Sequence, residues 1–191
     1  MEKIDDFRGD YMFLSNFFEA PVTINGIKFR NNEAAFQAQK WPSHANEFAN
    51  LTASEAKSLG RRVMLRPDWE QVKDVLMYRI VYAKFAQNSA LRERLLKTGD
   101  TELVEGNTWG DRYWGVVDGY GENKLGKILM EVRGELRKKY STHEEPLRSA
   151  FLTLFFGNGP GVSITLEKEQ VKAICDVAGI SINCSEELLD G

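Results

Sequence analysis

Cysteine and histidine are scarce in this chain of 191 residues, which has two of each. Cys175 and Cys184 both lie near the C-terminus, while His44 and His143 lie far apart. Zinc sites and disulfide frameworks need more of these residues, at regular and closer spacing. We therefore expect neither a structural metal ion nor a disulfide framework.

Long apolar runs are missing as well. A membrane-spanning helix needs about 20 consecutive apolar residues, and no stretch of the chain has that length and character. The first ten residues are acidic and lack the apolar core of a signal peptide. With 42% apolar and 28% charged residues, the composition is that of a soluble globular protein. We expect no membrane contact and a location in the cytoplasm.

Positive charge is in slight excess in the body of the chain and in deficit at its end. Residues 1–140 hold 20 acids and 22 bases, whereas residues 141–191 hold eight acids and three bases. A net charge of +2 is small for a nucleic-acid-binding surface. It leaves room for one basic pocket that receives phosphate.

Turn and capping signals predict a mainly helical α+β body with one small hairpin near the N-terminus. Asn25-Gly26, between alternating apolar and polar residues, predicts the hairpin. Periodicity and caps predict helices over residues 32–41, 52–60, 67–88, 89–98 and 124–140. The expected apolar faces are Val72, Val75, Leu76, Ile80 and Ala83 in the third helix, and Leu125, Ile128, Leu129, Val132 and Leu136 in the last.

A domain boundary is predicted at residues 141–146, where polar and acidic residues precede Pro146. The body is then residues 1–140 and an acidic C-terminal extension is residues 141–191. In the extension we expect an apolar helix or strand at 147–156, a loop at 157–161 and a helix at 165–179. The extension is small for independent folding and is expected to dock on the body.

The segment from Trp109 to Asn123 is rich in glycine, tryptophan and aspartate, and is predicted to hold at most short strands. Two Trp-Gly pairs, at Trp109 and Trp114, flank Asp111. Flat rings stack on nucleobases, although each tryptophan taken alone is well explained as a core residue. The aspartate between them favours a ligand pocket. Asn123 is placed to cap the following helix, whose N-terminus is also a candidate anion site.

One face of the predicted helix 32–41 carries Glu33, Phe36, Gln37 and Lys40. Glu33 and Lys40 are seven residues apart, about 10 Å along a helix, which is too far for an ordinary surface ion pair. A ligand between them would meet a carboxylate able to stabilise an oxocarbenium ion and an amine able to form a Schiff base. The spacing equally permits a solvated helix face.

Five arginines are candidates for phosphate contact: Arg8, Arg30, Arg61, Arg62 and Arg66. For Arg61 and Arg62, which follow a predicted helix end, bonding to the last helical carbonyls is an equally good explanation.

Five segments, in order and spacing, resemble the NADAR, or YbiA-like, family over about residues 4–140. They are FRGDYMFLSNFFEAPV, NNEAAFQAQKW, AKSLGRRVMLRPDWEQVKDVLM, KFAQNSALRERLLKTGDTELVEGNTWGDRYWGV and GYGENKLGKILMEVRGEL. The resemblance implies a compact, mainly helical fold and N-glycosidase chemistry on ribosides, with no metal or organic cofactor. Some family members remove ADP-ribose from guanine in DNA or RNA. Others cleave phosphoribosylated intermediates of the riboflavin pathway.

The resemblance also implies roles for individual residues. The implied catalytic residues are Glu33, Lys40 as a Schiff-base former, and Asp111 of the D-x-x-W-G motif. The implied substrate-binding residues are Ser15, Asn16, Gln37, Arg61, Trp109, Trp114 and Asn123. Many relatives have histidine where this chain has Ala34, so substrate choice can differ.

Two other classes of function fit the same residues. The chain could be a binding module for ADP-ribose or a nucleotide, without turnover. It could also be a housekeeping core whose acidic extension binds a basic partner or forms a lid. The retention of Glu33 and Lys40 argues against a binding module without turnover, and the apolar residues of the extension favour the lid over a basic partner. The sequence does not address the oligomeric state.

Overall fold

The structure is a computed structural model that describes the backbone of residues 3–156 and the side chains of residues 3–140. The chain divides into two compact units, Met1–Arg137 and Lys138–Gly191. The loop and helix expected at 157–161 and 165–179 lie outside the described residues. The docking of residues 141–191 on the body stays a prediction.

The first unit is a mainly helical α+β fold, which confirms the expected fold class. Its strands are β1 (Lys3–Ile4), β2 (Glu19–Ile24), β3 (Ile27–Asn31) and β4 (Glu102–Leu103). The helices are α1 (Asn32–Ala38), α2 (Ala53–Gly60), α3 (Trp69–Gln87), α4 (Ser89–Lys97) and α5 (Lys124–Phe156), with 3₁₀ turns at Gly9–Leu14 and Pro42–Phe48. β1 and β4 pair in parallel, and β2 and β3 pair antiparallel. None of the described helices is both long enough and apolar enough to cross a membrane.

The β2–β3 hairpin turns at Asn25-Gly26, as predicted. Both residues have positive φ, 50° and 80°, which is the conformation that Asn-Gly turns adopt between antiparallel strands. β3 leads straight into α1, where the Asn31 side chain accepts a hydrogen bond of 2.8 Å from the Ala34 amide. This N-cap fixes where α1 begins.

Helix α1 is three residues shorter than predicted and ends at Ala38. The amides of Lys40 and Trp41 bond to carbonyls three residues earlier, so the helix tightens into a turn. Pro42 disfavours helical backbone at the preceding residue, and Trp41 has φ of −139°. Lys40 therefore lies in a turn beyond the helix, and the prediction of a helix through Trp41 was wrong.

Helix α2 begins at the predicted capping box. The Thr52 amide donates to the Glu55 carboxylate at 2.9 Å, and the Glu55 amide donates to the Thr52 hydroxyl at 3.3 Å. Gly60 ends the helix, as predicted. Because α2 packs against α1, its last turn is brought beside Gln37.

The apolar face of α3 was partly mispredicted. Val75 is 61% exposed, whereas the buried residues are Trp69, Met77, Ile80, Val81, Lys84 and Phe85. This stripe faces β2 and α1, and periodicity alone did not reveal that a lysine belongs to it.

The apolar face of α5 is confirmed, because Leu125, Ile128, Leu129, Val132 and Leu136 are all buried. The backbone continues as helix through residues 141–146, where the domain boundary is predicted, and on to Phe156. Residues 147–156, expected to be helix or strand, are helical.

Candidate active site

A cavity of about 820 Å³ opens in the first unit. Its walls come from the first 3₁₀ turn, α1, α2, the start of α3, and the segment 105–114. Nine of the ten residues assigned to the site from sequence line it: Ser15, Asn16, Glu33, Gln37, Lys40, Arg61, Trp109, Asp111 and Trp114.

Asn123 is the exception. It does not line the cavity, and its side chain accepts from the Glu105 amide at 3.0 Å and donates to the Leu103 carbonyl at 2.9 Å. Its backbone carbonyl accepts from the Lys127 amide at 3.0 Å, so Asn123 stands at the predicted cap position of α5. Its side chain does not cap the helix, because both ends of the side-chain amide hold the chain next to β4. The anion contact predicted at this helix terminus stays a prediction. The effect of Asn123 on the site is through the position of Glu105.

Glu33 is buried in the first turn of α1. Its Oε1 accepts a hydrogen bond of 2.8 Å from Nε2 of Gln37, one turn later on the same helix. Burial raises the pKa of Glu33, while the Gln37 hydrogen bond and the nearby Lys57 and Lys40 act in the opposite direction. The carboxyl group thus has one dedicated donor that supports its ionised form.

Lys40 reaches the cavity from the turn after α1. Its Nζ donates to the Gly60 carbonyl at 3.3 Å and lies 5.5 Å from the centre of the Trp69 ring. Burial lowers the pKa of Lys40, and the positive charges of Arg61 and Lys57 lower it further, while Glu33 raises it. No ion pair joins Glu33 to Lys40 among the described residues, so neither group is neutralised by direct contact with the other.

Asp111 organises the tryptophan-containing loop. Its Oδ1 accepts from the amides of Tyr113 at 3.1 Å and Trp114 at 2.9 Å. The Asn107 side chain holds Asp111 in turn, accepting from its amide at 3.0 Å and donating to its carbonyl at 2.7 Å. One oxygen of Asp111 therefore fixes the position of Trp114 in the cavity wall.

The two tryptophans of the loop have different surroundings. Trp114 packs edge-on against Phe36, with ring centres 5.4 Å apart. Trp109 is 57% exposed at the cavity rim, 6.0 Å from Nζ of Lys57. The core-residue interpretation is therefore wrong for Trp109, whose ring is free to contact a ligand.

Most of the candidate arginines already contact an acidic side chain or a backbone carbonyl. Arg30 pairs with Glu19, Arg66 pairs with Asp68, and Arg62 donates to the Ser58 carbonyl at the end of α2. Arg8 lines the cavity but lies 3.5 Å from Asp6. Arg61 lines the cavity and has no acidic partner among the described residues.

Sequence reasoning missed further lining residues, among them Lys57, Trp69, Lys73, Glu105 and Tyr113. Lys57 had a usable signal, because it lies four residues before Arg61 and so shares its face of α2. Like Arg61, Lys57 has no acidic partner within the described part of the chain. These two cations could hold an anion, whereas the described residues contain no cluster of His, Cys, Asp or Glu suited to a metal ion.

Ser15, which lines the cavity, contacts a buried lysine outside the cavity wall. Lys84 is fully buried in α3, and its Nζ donates to the Ser15 carbonyl at 2.8 Å. Burial lowers the pKa of Lys84 to about 7. Beside it, Oδ1 of Asn16 accepts from the side-chain Nδ2 of Asn32 at 3.2 Å, so the segment just after the first 3₁₀ turn is tied to both α3 and α1.

Residues 5–137 match the NADAR domain family, and the chain belongs to this family. It is 39% identical over 132 residues to a riboflavin biosynthesis protein of Vibrio vulnificus, covering 66% of this chain and 36% of that protein. It is 38% identical over 133 residues to the N-glycosidase YbiA of Shigella flexneri, covering 66% of this chain and 82% of YbiA. The NMR structure of the Escherichia coli protein YbiA superposes with a TM-score of 0.65 at 37% identity, covering 73% and 89% of the two chains.

Proposed function

We propose that the protein is an N-glycosidase that hydrolyses the bond between a ribose and a nitrogenous base, with ADP-ribosylated guanine in DNA or RNA as the first candidate substrate. The observation that carries this proposal is the placement of Glu33 and Lys40 in one cavity without a direct ion pair. The name of one relative, the N-glycosidase YbiA of Shigella flexneri, supports the reaction class.

The walls of the cavity suit the parts of such a substrate. The exposed ring of Trp109 and the wall formed by Trp114 offer surfaces on which a base can stack. Lys57 and Arg61 supply positive charge for a phosphate. A volume of about 820 Å³ lies in the upper part of the usual range for ligand pockets, which favours a substrate of nucleotide size or larger.

The chemistry assigns complementary tasks to Glu33 and Lys40. As the bond from C1′ to the base breaks, its electron pair leaves on the base nitrogen, and the Glu33 carboxylate stabilises the positive charge at C1′. The neutral amine of Lys40 adds to C1′, the ribose ring opens, and a Schiff base forms. Water then adds to C1′ and releases the Lys40 amine, so the net change is hydrolysis.

Asp111 is assigned to positioning. Its Oδ1 already accepts two backbone hydrogen bonds, so its part in the reaction is to fix Trp114 and to orient the ribose hydroxyls.

Phosphoribosylated intermediates of riboflavin biosynthesis are the second candidate substrates. The observation in their favour is the name of the Vibrio relative. These compounds have the same riboside bond and a single phosphate, so they need the same chemistry and fewer cationic contacts.

A side-by-side assay tests both candidates. The protein is incubated with ADP-ribosylated guanosine in an oligonucleotide and with the phosphoribosyl-aminopyrimidine, and released sugar and base are measured by mass spectrometry. Release from the first alone supports the first candidate, and release from the second alone supports the second. Binding of either compound without release of sugar or base would contradict the proposed enzyme activity and favour a binding module.

A further inference from the structure

We propose that Glu105 is the general acid of this site and protonates the nitrogenous base as it leaves the sugar. The inference rests on the proposed N-glycosidase function and adds to it a residue that neither the spacing nor the motifs singled out. A leaving base needs a proton because the departing nitrogen anion is otherwise a poor leaving group.

The backbone fixes Glu105 firmly at the cavity. Its amide donates to Asn123 Oδ1 at 3.0 Å, and its carbonyl accepts from the Val116 amide at 2.8 Å. Gly115 allows this close approach, since a Cβ at that position would lie 3.0 Å from Cγ of Glu105. The side chain lines the cavity together with Glu33 and Asp111.

The hydrogen bonding of Glu105 differs from that of Glu33. Oε2 of Glu105 is buried and has no hydrogen-bond partner among the described residues, whereas Glu33 accepts from Gln37. A buried carboxylate without donors is costly, and a protonated carboxyl group that can donate to a ligand is not. The two glutamates are therefore suited to different protonation states, with Glu33 ionised and Glu105 protonated.

The charges that face Glu105 favour the same assignment. Burial raises the pKa of Glu105 to about 7, with further contributions from the negative charges of Asp111, Asp6 and Glu33. Two cations oppose this: Lys57 lowers the pKa, and the buried Lys84 also interacts with the carboxyl group. A group that titrates near neutral pH is efficient as a general acid there.

The proposed proton transfer returns Glu105 to its starting protonated form. The O–H bond of Glu105 breaks and its proton goes to the base nitrogen, which keeps the electron pair of the broken bond to C1′. The resulting carboxylate recovers a proton from the water molecule that completes hydrolysis. No oxidant, reductant or metal is consumed.

The test compares Glu105→Gln with the wild type on two substrates. ADP-ribosylated guanosine needs protonation of its leaving group, whereas 4-nitrophenyl riboside 5-phosphate releases a stable anion. We expect the variant to lose about 10²- to 10⁴-fold on the first substrate and to stay close to wild type on the second. Glu102→Gln, at an exposed residue of β4, is the matched control and should be unaffected on both.

The pH profile and a direct titration separate acid catalysis from a structural role. Wild-type turnover of the guanosine substrate should fall as pH rises through about 7, because the acid form is lost, and this limb should be absent with the nitrophenyl substrate. ¹³C NMR of labelled glutamates should show one carboxyl titrating near 7 that is missing in Glu105→Gln. Equal losses on both substrates, no loss on either, or titration near 4.5 would overturn the inference. In the last two cases the proposed N-glycosidase function would stand if the wild type still released base.

Discussion

At the residue scale, burial shifts the pKa of Glu33 and the pKa of Lys40 in opposite directions. It raises the pKa of Glu33 and lowers that of Lys40, so both groups move toward their neutral forms. For Lys40 this shift increases the fraction of unprotonated amine at neutral pH, which is the nucleophilic form. The Gln37 hydrogen bond lowers the pKa of Glu33 and so opposes the effect of burial there.

Reductive trapping tests whether Lys40 bonds to the sugar. With substrate and sodium cyanoborohydride, the wild type should gain the mass of one ribosyl adduct, because the reagent reduces a Schiff base to a stable amine. Lys40→Arg keeps the positive charge but cannot form the imine, and should gain none. Lys28→Arg, at an exposed residue of β3, should be labelled like the wild type. An adduct that persists in Lys40→Arg would remove the Schiff-base role.

The residues that could be predicted from sequence were those with a motif or a shared helix face. Glu105 was missed because its role depends on burial and on neighbours distant in the chain. Lys57 was overlooked although it shares a helix face with Arg61, which is a local signal. The cap position of Asn123 was predicted, but its side-chain partners, the Glu105 amide and the Leu103 carbonyl, were not, since they lie 18 and 20 residues away. Local pattern carries no information on such contacts.

At the element scale, local chemistry explains where most elements begin. The Asn-Gly turn and the Thr52–Glu55 capping box are short-range signals, and both are present as expected. The end of α1 depended on Pro42 acting on the residue before it, and the buried face of α3 depended on β2 and α1. The first effect is readable from sequence with stricter use of the proline rule, whereas the second needs the tertiary packing.

The contact between α1 and α2 depends on Gly60. A Cβ at residue 60 would lie 2.7 Å from Cδ and 3.0 Å from Cβ of Gln37, so Gly60→Ala must displace the Gln37 side chain. We expect destabilisation of about 1–3 kcal/mol, measured by urea unfolding. The displaced Gln37 side chain would no longer lower the pKa of Glu33. The acid limb of the pH–activity profile should therefore move to higher pH.

Gly134→Ala is the control for that variant. Gly134 lies in α5, and a Cβ at residue 134 would meet no atom within 4 Å. Alanine there should leave stability unchanged or raise it by up to about 1 kcal/mol. Equal effects of the two substitutions would show that the fit of Gln37 against Gly60 does not matter.

At the scale of the whole molecule, the family match over residues 5–137 covers the first compact unit from its fifth residue to its end at Arg137. That unit contains every lining residue of the cavity. The core that supports it includes Lys84, whose fully buried amine donates a hydrogen bond to the Ser15 carbonyl. Its presence makes stability depend on pH.

Lys84 should give the folded protein a distinctive pH dependence. Its folded-state pKa of about 7 lies below the ordinary 10.5, so between these values the unfolded chain binds one more proton. The free energy of unfolding should therefore rise with pH in that window, by up to about 1.4 kcal/mol per unit. Urea unfolding at pH 7, 8 and 9 should show this contribution in the wild type and not in Lys84→Met.

Lys97→Met, at an exposed residue of α4, should retain the wild-type slope. Parallel pH profiles for the wild type and Lys84→Met would mean that Lys84 is charged in the folded protein throughout this range.

The most direct test of the central claim is base release by Glu33→Gln. Wild type and Glu47→Gln, which changes an exposed residue of the second 3₁₀ turn, should release base from ADP-ribosylated guanosine or the phosphoribosyl-aminopyrimidine. Glu33→Gln should be slower by about 10²- to 10³-fold, because it loses the charge that stabilises C1′, with unchanged circular dichroism and retained substrate binding. Undiminished release by Glu33→Gln, or binding without release by the wild type, would contradict the account.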